Sequence, residues 1–295
     1  MKKITLLAIA FSFAILNLHA QDEELVSKKG FAILPEAGDY AIGVDFAPFV
    51  KTLNFMGGTS NGPSFDLSDG ASIFGKYYTE KDMAYRVKFA FNSLTTNVSN
   101  YVTDESVLIP TPEDQIEDQG KFSYSQFALA VGFEKRRGKS RLQGYYGADF
   151  FLMYFNGSAT NRNFKGTYGN DFSSDHTMPT STAFVTSLKG YRTVEVKQGG
   201  QLGLGLRAFV GVEYFIAPKI SIGGELGWGL AYAIGFDGYQ IDEEWDAVAG
   251  EVKSTKVKTA SANQFIVGSD ASSNGFFEAN SWLGLGGNIN LIFHF

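Results

Sequence analysis

The chain contains no cysteine. That excludes disulfides, thiolate metal sites and a lipid-modified N-terminal Cys. Beyond the first twenty residues no apolar run reaches 18, and the mean hydropathy is too low for a bundle of membrane helices. An excess of positive charge is also missing: the formal net charge is −6. A mildly acidic chain is a poor nucleic-acid ligand, and no nucleic-acid partner is expected. The motifs HExxH, CxxC and GxSxG are absent. Gly203-x-Gly205 and Gly284-x-Gly286-Gly287 lie in strand-like stretches, where Gly relieves crowding and does not cradle a phosphate. Histidine is scarce, 3 in all. No catalytic residue, cofactor or metal is expected from this inventory.

What is abundant is glycine and aromatic residues: 34 Gly, 27 Phe and 14 Tyr. Such a load suits strands that must curve and carry aromatic belts. The first twenty residues read as a secretory leader, with Lys2 and Lys3 as the charged region, Ile4 to Leu16 as the apolar core and Leu18-His19-Ala20 as the cleavage site. Its removal takes away two Lys and no acid, moving the charge from −6 to −8. Residues 21–38 read as a polar periplasmic segment with one apolar knot, Phe31 to Pro35, packing under the mouth of a barrel formed by the rest of the chain.

From Asp39 the chain alternates apolar and polar residues with a period of two, the mark of strands with one greasy face. The cleanest case sets Met83, Tyr85, Val87, Phe89 and Phe91 against Ala84, Arg86, Lys88, Ala90 and Asn92. Eight such stretches occur, near residues 39–50, 71–78, 83–92, 122–134, 142–155, 201–215, 220–232 and 282–295. Their connections alternate long and short. The long ones, near 54–70, 93–120, 156–200 and 233–280, read as loops. The short ones are Thr79 to Asp82, Lys135 to Lys139 and Ala217-Pro218-Lys219. The terminal stretch carries Leu291, Phe293 and Phe295 on its apolar face.

An amphipathic last strand with a terminal Phe resembles the assembly signal of bacterial outer-membrane β-barrel proteins. The whole pattern from Asp39 to Phe295 resembles the small eight-stranded OmpA, OmpX and OmpW type. The resemblance implies an all-β fold: a closed antiparallel transmembrane β-barrel with long outer loops and short periplasmic turns. A ten-stranded barrel would follow if 184–187 with 191–197, or 251–259, formed a further hairpin in the wall; these segments read instead as strand extensions above the membrane. The resemblance also implies a place in the cell outer membrane. The implied partners are outer-membrane lipid, lipopolysaccharide, the barrel-assembly machinery and other proteins of an envelope complex. Tyr40, Tyr77, Phe133, Tyr154, Tyr214, Trp228, Tyr232 and Phe293 read as interfacial girdles.

The face opposite the apolar one carries charge. Alternation assigns it the acids Asp45, Glu134, Asp149, Glu213 and Glu225 and the bases Lys76, Arg86, Lys88 and Arg207. An eight-stranded lumen is just wide enough to be filled by side chains, and buried charges must pair. A lumen plugged by ion pairs is therefore expected, with Arg207 and Glu225 about one diagonal apart across the Pro218 turn. A structural or interaction role follows, with a narrow conduit for small or hydrophobic solutes and a rim-active enzyme as alternatives. The enzyme reading has one candidate, His176 in Ser173-Ser174-Asp175-His176. Adjacency in sequence is not triad geometry, so no enzyme is expected. Two acidic groups, one at Glu113, Asp114, Glu117 and Asp118 and one at Asp237, Asp242, Glu243, Glu244 and Asp246, lack the ligand spacing of a calcium loop and read as solvated.

Overall fold

The computed structural model describes residues 25–45, 72–158, 160–172, 182–184, 191–269 and 288–295. Within them the chain forms thirteen strands and no helix. They are β1 (Tyr40–Asp45), β2 (Ser72–Glu80), β3 (Met83–Thr103), β4 (Gln115–Arg137), β5 (Leu142–Asn156), β6 (Asn163–Thr167), β7 (Arg192–Lys197), β8 (Gly200–Ala217), β9 (Ile220–Gly235), β10 (Gly238–Asp246), β11 (Glu251–Thr259), β12 (Gln264–Ser269) and β13 (Asn288–His294).

All pairings are antiparallel. Eight strands form a ring, in the order β1-β2-β3-β4-β5-β8-β9-β13 and back to β1. The first and last strands meet in it. β1 and β13 pair from Ala41 opposite His294 to Asp45 opposite Asn290, and Tyr40 and Phe295 exchange two backbone hydrogen bonds of 2.9 Å. At one end the ring strands are joined by turns of a few residues. In the turn between β8 and β9, Lys219 takes a left-handed φ of 60° after Pro218. Its amide donates to the Ile33 carbonyl at 3.2 Å, and its ammonium pairs with Asp39. Through these contacts residues 25–38 lie against the turn end of the ring, with Ile33 buried and Phe31 exposed.

The ring is layered inside out. Outward positions are large and apolar yet exposed: Tyr85, Val87, Phe89 and Phe91 on β3, Leu206, Val210 and Val212 on β8, Leu226, Trp228, Leu230 and Tyr232 on β9. The intervening residues point inward and are buried, and many are charged: Lys76, Arg86, Lys88, Glu134, Asp149, Arg207, Glu213 and Glu225. Two small apolar clusters flank these charges. One is Ala41, Phe74, Tyr78, Ala84 and Ile292; the other contains Ala128, Phe151, Met153 and Ala231.

Beyond the ring, away from the short turns, the sheet continues. The stretch expected as an acidic loop at 93–120 is largely strand. β3 and β4 stay in register from Leu94 opposite Tyr124 to Thr103 opposite Gln115, leaving only 104–114 as connection. Outer β3 is exposed or half-exposed on both faces, and the covered face of β4 carries Asp118 and Gly120, so the period-two signal vanishes while the backbone ladder persists. The outer half of β4 pairs with β6, which carries the sheet on through β7 and β10 to the edge strand β11. β12 flanks the outer half of β9. Strands β6, β10 and β12 thus lie in regions expected to be loop. Segments 192–197 and 251–259 are strands that pair in this outer sheet and do not enter the ring. The expected stretches 46–50 and 282–287 lie outside the described residues.

Candidate functional site: the buried charge network

The inward face of the ring brings the charges into two linked groups. In the one nearer the short turns, Glu213 on β8 forms an ion pair with Arg136 at 2.9 Å and accepts from Lys76 at 3.4 Å, from His294 at 3.0 Å and from the Ser221 hydroxyl. Lys76 also donates to Glu134 at 2.9 Å. In the other group, Glu225 on β9 receives both terminal nitrogens of Arg86, at 3.0 and 2.9 Å. It also receives Arg207 at 2.9 Å, and Lys88. Asp149 accepts from Arg207 at 3.3 Å and lies 3.2 Å from Arg86 Nε. Arg86 ties the groups together, 3.5 Å from Glu134.

Aromatic rings pack against the cations. Arg86 lies 4.0 Å from the Phe209 ring centre, Arg136 sits near Tyr78 and Phe215, and Lys76 is 5.0 Å from Tyr145. A guanidinium is more weakly hydrated than an ammonium and stacks on such faces, so Arg suits this interior. The network joins five cations (Lys76, Arg86, Lys88, Arg136, Arg207) to four carboxylates (Glu134, Asp149, Glu213, Glu225).

Eight of the nine charges assigned to the lumen from sequence meet here. The ninth, Asp45, falls opposite Asn290 on β13, but its side chain lies outside the described residues. One charged member was not anticipated, Arg136, expected in a basic turn; the inward side chains of Tyr145, Ser221 and His294 join the network as well. Arg136 follows Glu134 by two residues on β4, so carrying the alternation one step further would have found it. The Arg207–Glu225 pair forms, but not across one diagonal. Arg207 stands opposite Gly229, four residues from Glu225. The guanidinium bridges the gap by lying over Gly227, where an added Cβ would come within 2.5 Å of Arg207 Nε. Leu291, Phe293 and Phe295 alternate with buried Ile292 and His294, and the two Phe side chains are exposed.

The acidic groups outside the ring are not simply solvated. Asp118 is fully buried and accepts from the amides of Gly169 at 2.8 Å and Ala183 at 2.7 Å. Asp114 caps Thr111, whose amide and hydroxyl hold its carboxyl below the usual range. Glu243 binds Arg192 at 2.9 Å, and Asp246 caps Val248 and Ala249. Among the described residues no cluster of acids or His is placed to hold a metal ion. His176 lies outside the described residues. The outer sheet has its own small core. Arg192 donates to the Asn170 carbonyl at 2.6 Å and packs between the rings of Tyr168 and Phe172. The Tyr168 hydroxyl donates to the Thr193 carbonyl at 2.6 Å. Burial pushes the Tyr168 phenol up to about 12, against the opposing pull of Arg192.

No protein-family model matches this sequence, and no curated protein matches it significantly. Solved structures similar to it include two outer membrane proteins. The outer membrane protein OprG from Pseudomonas aeruginosa aligns over 89% of this chain and 98% of its own, at 10% identity and a TM-score of 0.35. A major outer membrane protein from Thermus thermophilus aligns over 88% and 100%, at 12% identity and a TM-score of 0.34. Scores this low carry no weight beside the geometry of the ring itself.

Proposed function

We propose that this chain is an integral outer-membrane β-barrel, plugged by its own ion pairs, with a structural or interaction role displayed through the sheet above it. The observation that carries this reading is the inverted layering of the ring. A protein in water would bury Val87, Phe89, Leu206 and Trp228 and expose Arg86, Arg207 and Glu225; here the reverse holds. Only a hydrocarbon surround makes such a wall stable, and in hydrocarbon only a closed sheet leaves no backbone edge unpaired. The alternating stretch of β3, Met83 to Phe91, matches the ~9–11 tilted residues that cross a bilayer. The leader-like residues 1–20 supply the export such a location needs, and assembly would depend on the cell's barrel-insertion machinery.

Arg86 and Arg207 are each about 2% exposed and stand across the lumen between carboxylates. They favour a plug over a conduit. The refolded protein in lipid should migrate faster on gels before boiling than after, and should show no steady discrete openings in a planar bilayer. A soluble monomer with no gel shift would refute the membrane reading; regular conductance steps would refute the plug.

A further inference from the structure

The short-turn end of the ring holds a groove of about 380 Å³. It runs between residues 25–36 and the turns that join β2 to β3 and β4 to β5. One wall is a small hairpin. Val26 bridges Ala32, the Ile33 amide donates to the Leu25 carbonyl at 2.9 Å, and Leu25 and Leu34 give the groove apolar surface. Lys81 and Lys139 line it together with Glu36 and Asp82, so it carries both signs of charge. Arg136 and Gln143 also line it, although they are only 3% and 4% exposed. Arg136 gives Nη1 to the Tyr78 hydroxyl and pairs through Nη2 with Glu213, which leaves its Nε–H without an acceptor among the described residues. The Gln143 amide nitrogen donates to the Ser140 carbonyl, which leaves its Oε1 without a donor among them.

Buried polar side chains are rarely left short of partners. Here a spare donor and a spare acceptor share one groove, and a ligand that serves both must bring the complement of each. We propose that the groove seats the free C-terminus of an extended peptide whose last residue is apolar. The terminal carboxylate accepts from Arg136, the last amide N–H donates to Gln143, and the last side chain lies against Leu25 and Leu34. Capture of a terminal carboxylate is a recurring mode of peptide recognition. A doubly charged anion such as sulfate brings no donor for Gln143 and meets Glu36 and Asp82. An internal peptide segment brings no carboxylate for Arg136. The groove exists whether or not lipid surrounds the ring; the membrane reading adds only that it opens to the periplasm.

The test uses the full refolded chain in detergent and a fluorescein-labelled peptide, Gly-Ser-Gly-Ala-Leu with a free carboxyl, with binding read by fluorescence anisotropy. The free acid should bind about tenfold tighter than its C-terminal amide, and a peptide ending in Asp should bind as weakly as the amide. Gln143→Leu should weaken binding roughly fivefold. Arg136→Lys keeps a cation for Glu213 but loses the guanidinium fork, and should weaken it roughly tenfold. Lys28→Gln, on the same segment but outside the groove, should match the wild type. Thermal melts followed by circular dichroism report that each variant has folded. Equal binding of acid and amide, or undiminished binding by folded Gln143→Leu and Arg136→Lys, would overturn the assignment. Binding that appears only after residues 1–24 are removed would overturn it too, and give the groove to the chain's own start. Absence of the gel shift in the wild type would count against the membrane reading alone, since anisotropy reads peptide binding separately.

Discussion

Strand β4 has two halves that differ in what they expose and what they bury. From Phe127 to Arg137 its outward residues are mostly apolar, while inward Glu134 and Arg136 are buried in ion pairs. From Gln115 to Ser123 the same strand exposes Gln119 and Lys121 outward and buries Asp118, which here bonds backbone amides and not a cation. The backbone ladder with β3 is unbroken across both halves. What changes is what each half must exclude. The ring keeps paired charge behind an apolar wall, whereas the outer sheet buries a few polar groups satisfied by backbone amides.

The sharpest break in that comparison should come at Glu225. It is the shared acceptor for Arg86, Lys88 and Arg207, so Glu225→Ala leaves three buried cations short of a partner. Breaking a buried pair from one side costs about 3–5 kcal/mol. Urea titration in lipid should show a loss of that size, with the unboiled gel form lost at lower temperature; an unchanged midpoint would mean the network is not what holds the ring. Next in size is the wall. Phe89→Arg should cost about 2–4 kcal/mol if that position lies at the bilayer midplane. The same change at Asn97, on the same face of the same strand but in the outer sheet, should be nearly silent. Equal effects at the two sites would erase the boundary between ring and outer sheet.

A smaller effect is expected in the outer sheet. Arg192→Ala removes the donor that joins the Asn170 carbonyl and Glu243. It should expose residues near 168–172 to limited proteolysis, at about 1–3 kcal/mol of local stability, without moving the gel transition of the ring. The smallest effect is alkaline. The Tyr168 phenol lies at about 12 in the folded chain against 10.0 when unperturbed. Its contribution is therefore complete below pH 10 and falls away as the pH rises from 10 to 12. Hydrogen exchange should show the segment around Tyr168 loosening across that window before the ring does. Tyr168→Phe should abolish the pH dependence.

The ring was legible in the sequence because its two faces differ as strongly as two solvents can. Each ring strand was found, and eight of the nine assigned lumen charges meet in one network. Arg136 escaped because it sits beside Arg137 and Lys139, in a cluster that reads as a basic turn until the strand is carried past Glu134. The outer sheet was not legible for the opposite reason: strands such as β6 and β11 are wet on one or both faces and show no rhythm of polarity. Asp118 looked like one more solvated acid because its partners, the amides of Gly169 and Ala183, are remote in sequence and carry no signature.

The order of residues along each ring strand was enough by itself to say which side chains face out and which face in, since a strand permits only those two directions. Which charges meet was decided by the tertiary structure alone. Glu225 joins Arg86 from across the lumen and Arg207 from four residues along the neighbouring register, and both contacts depend on how the strands are staggered around the ring. Stagger is a property of the whole circuit of pairings, so no single strand encodes it.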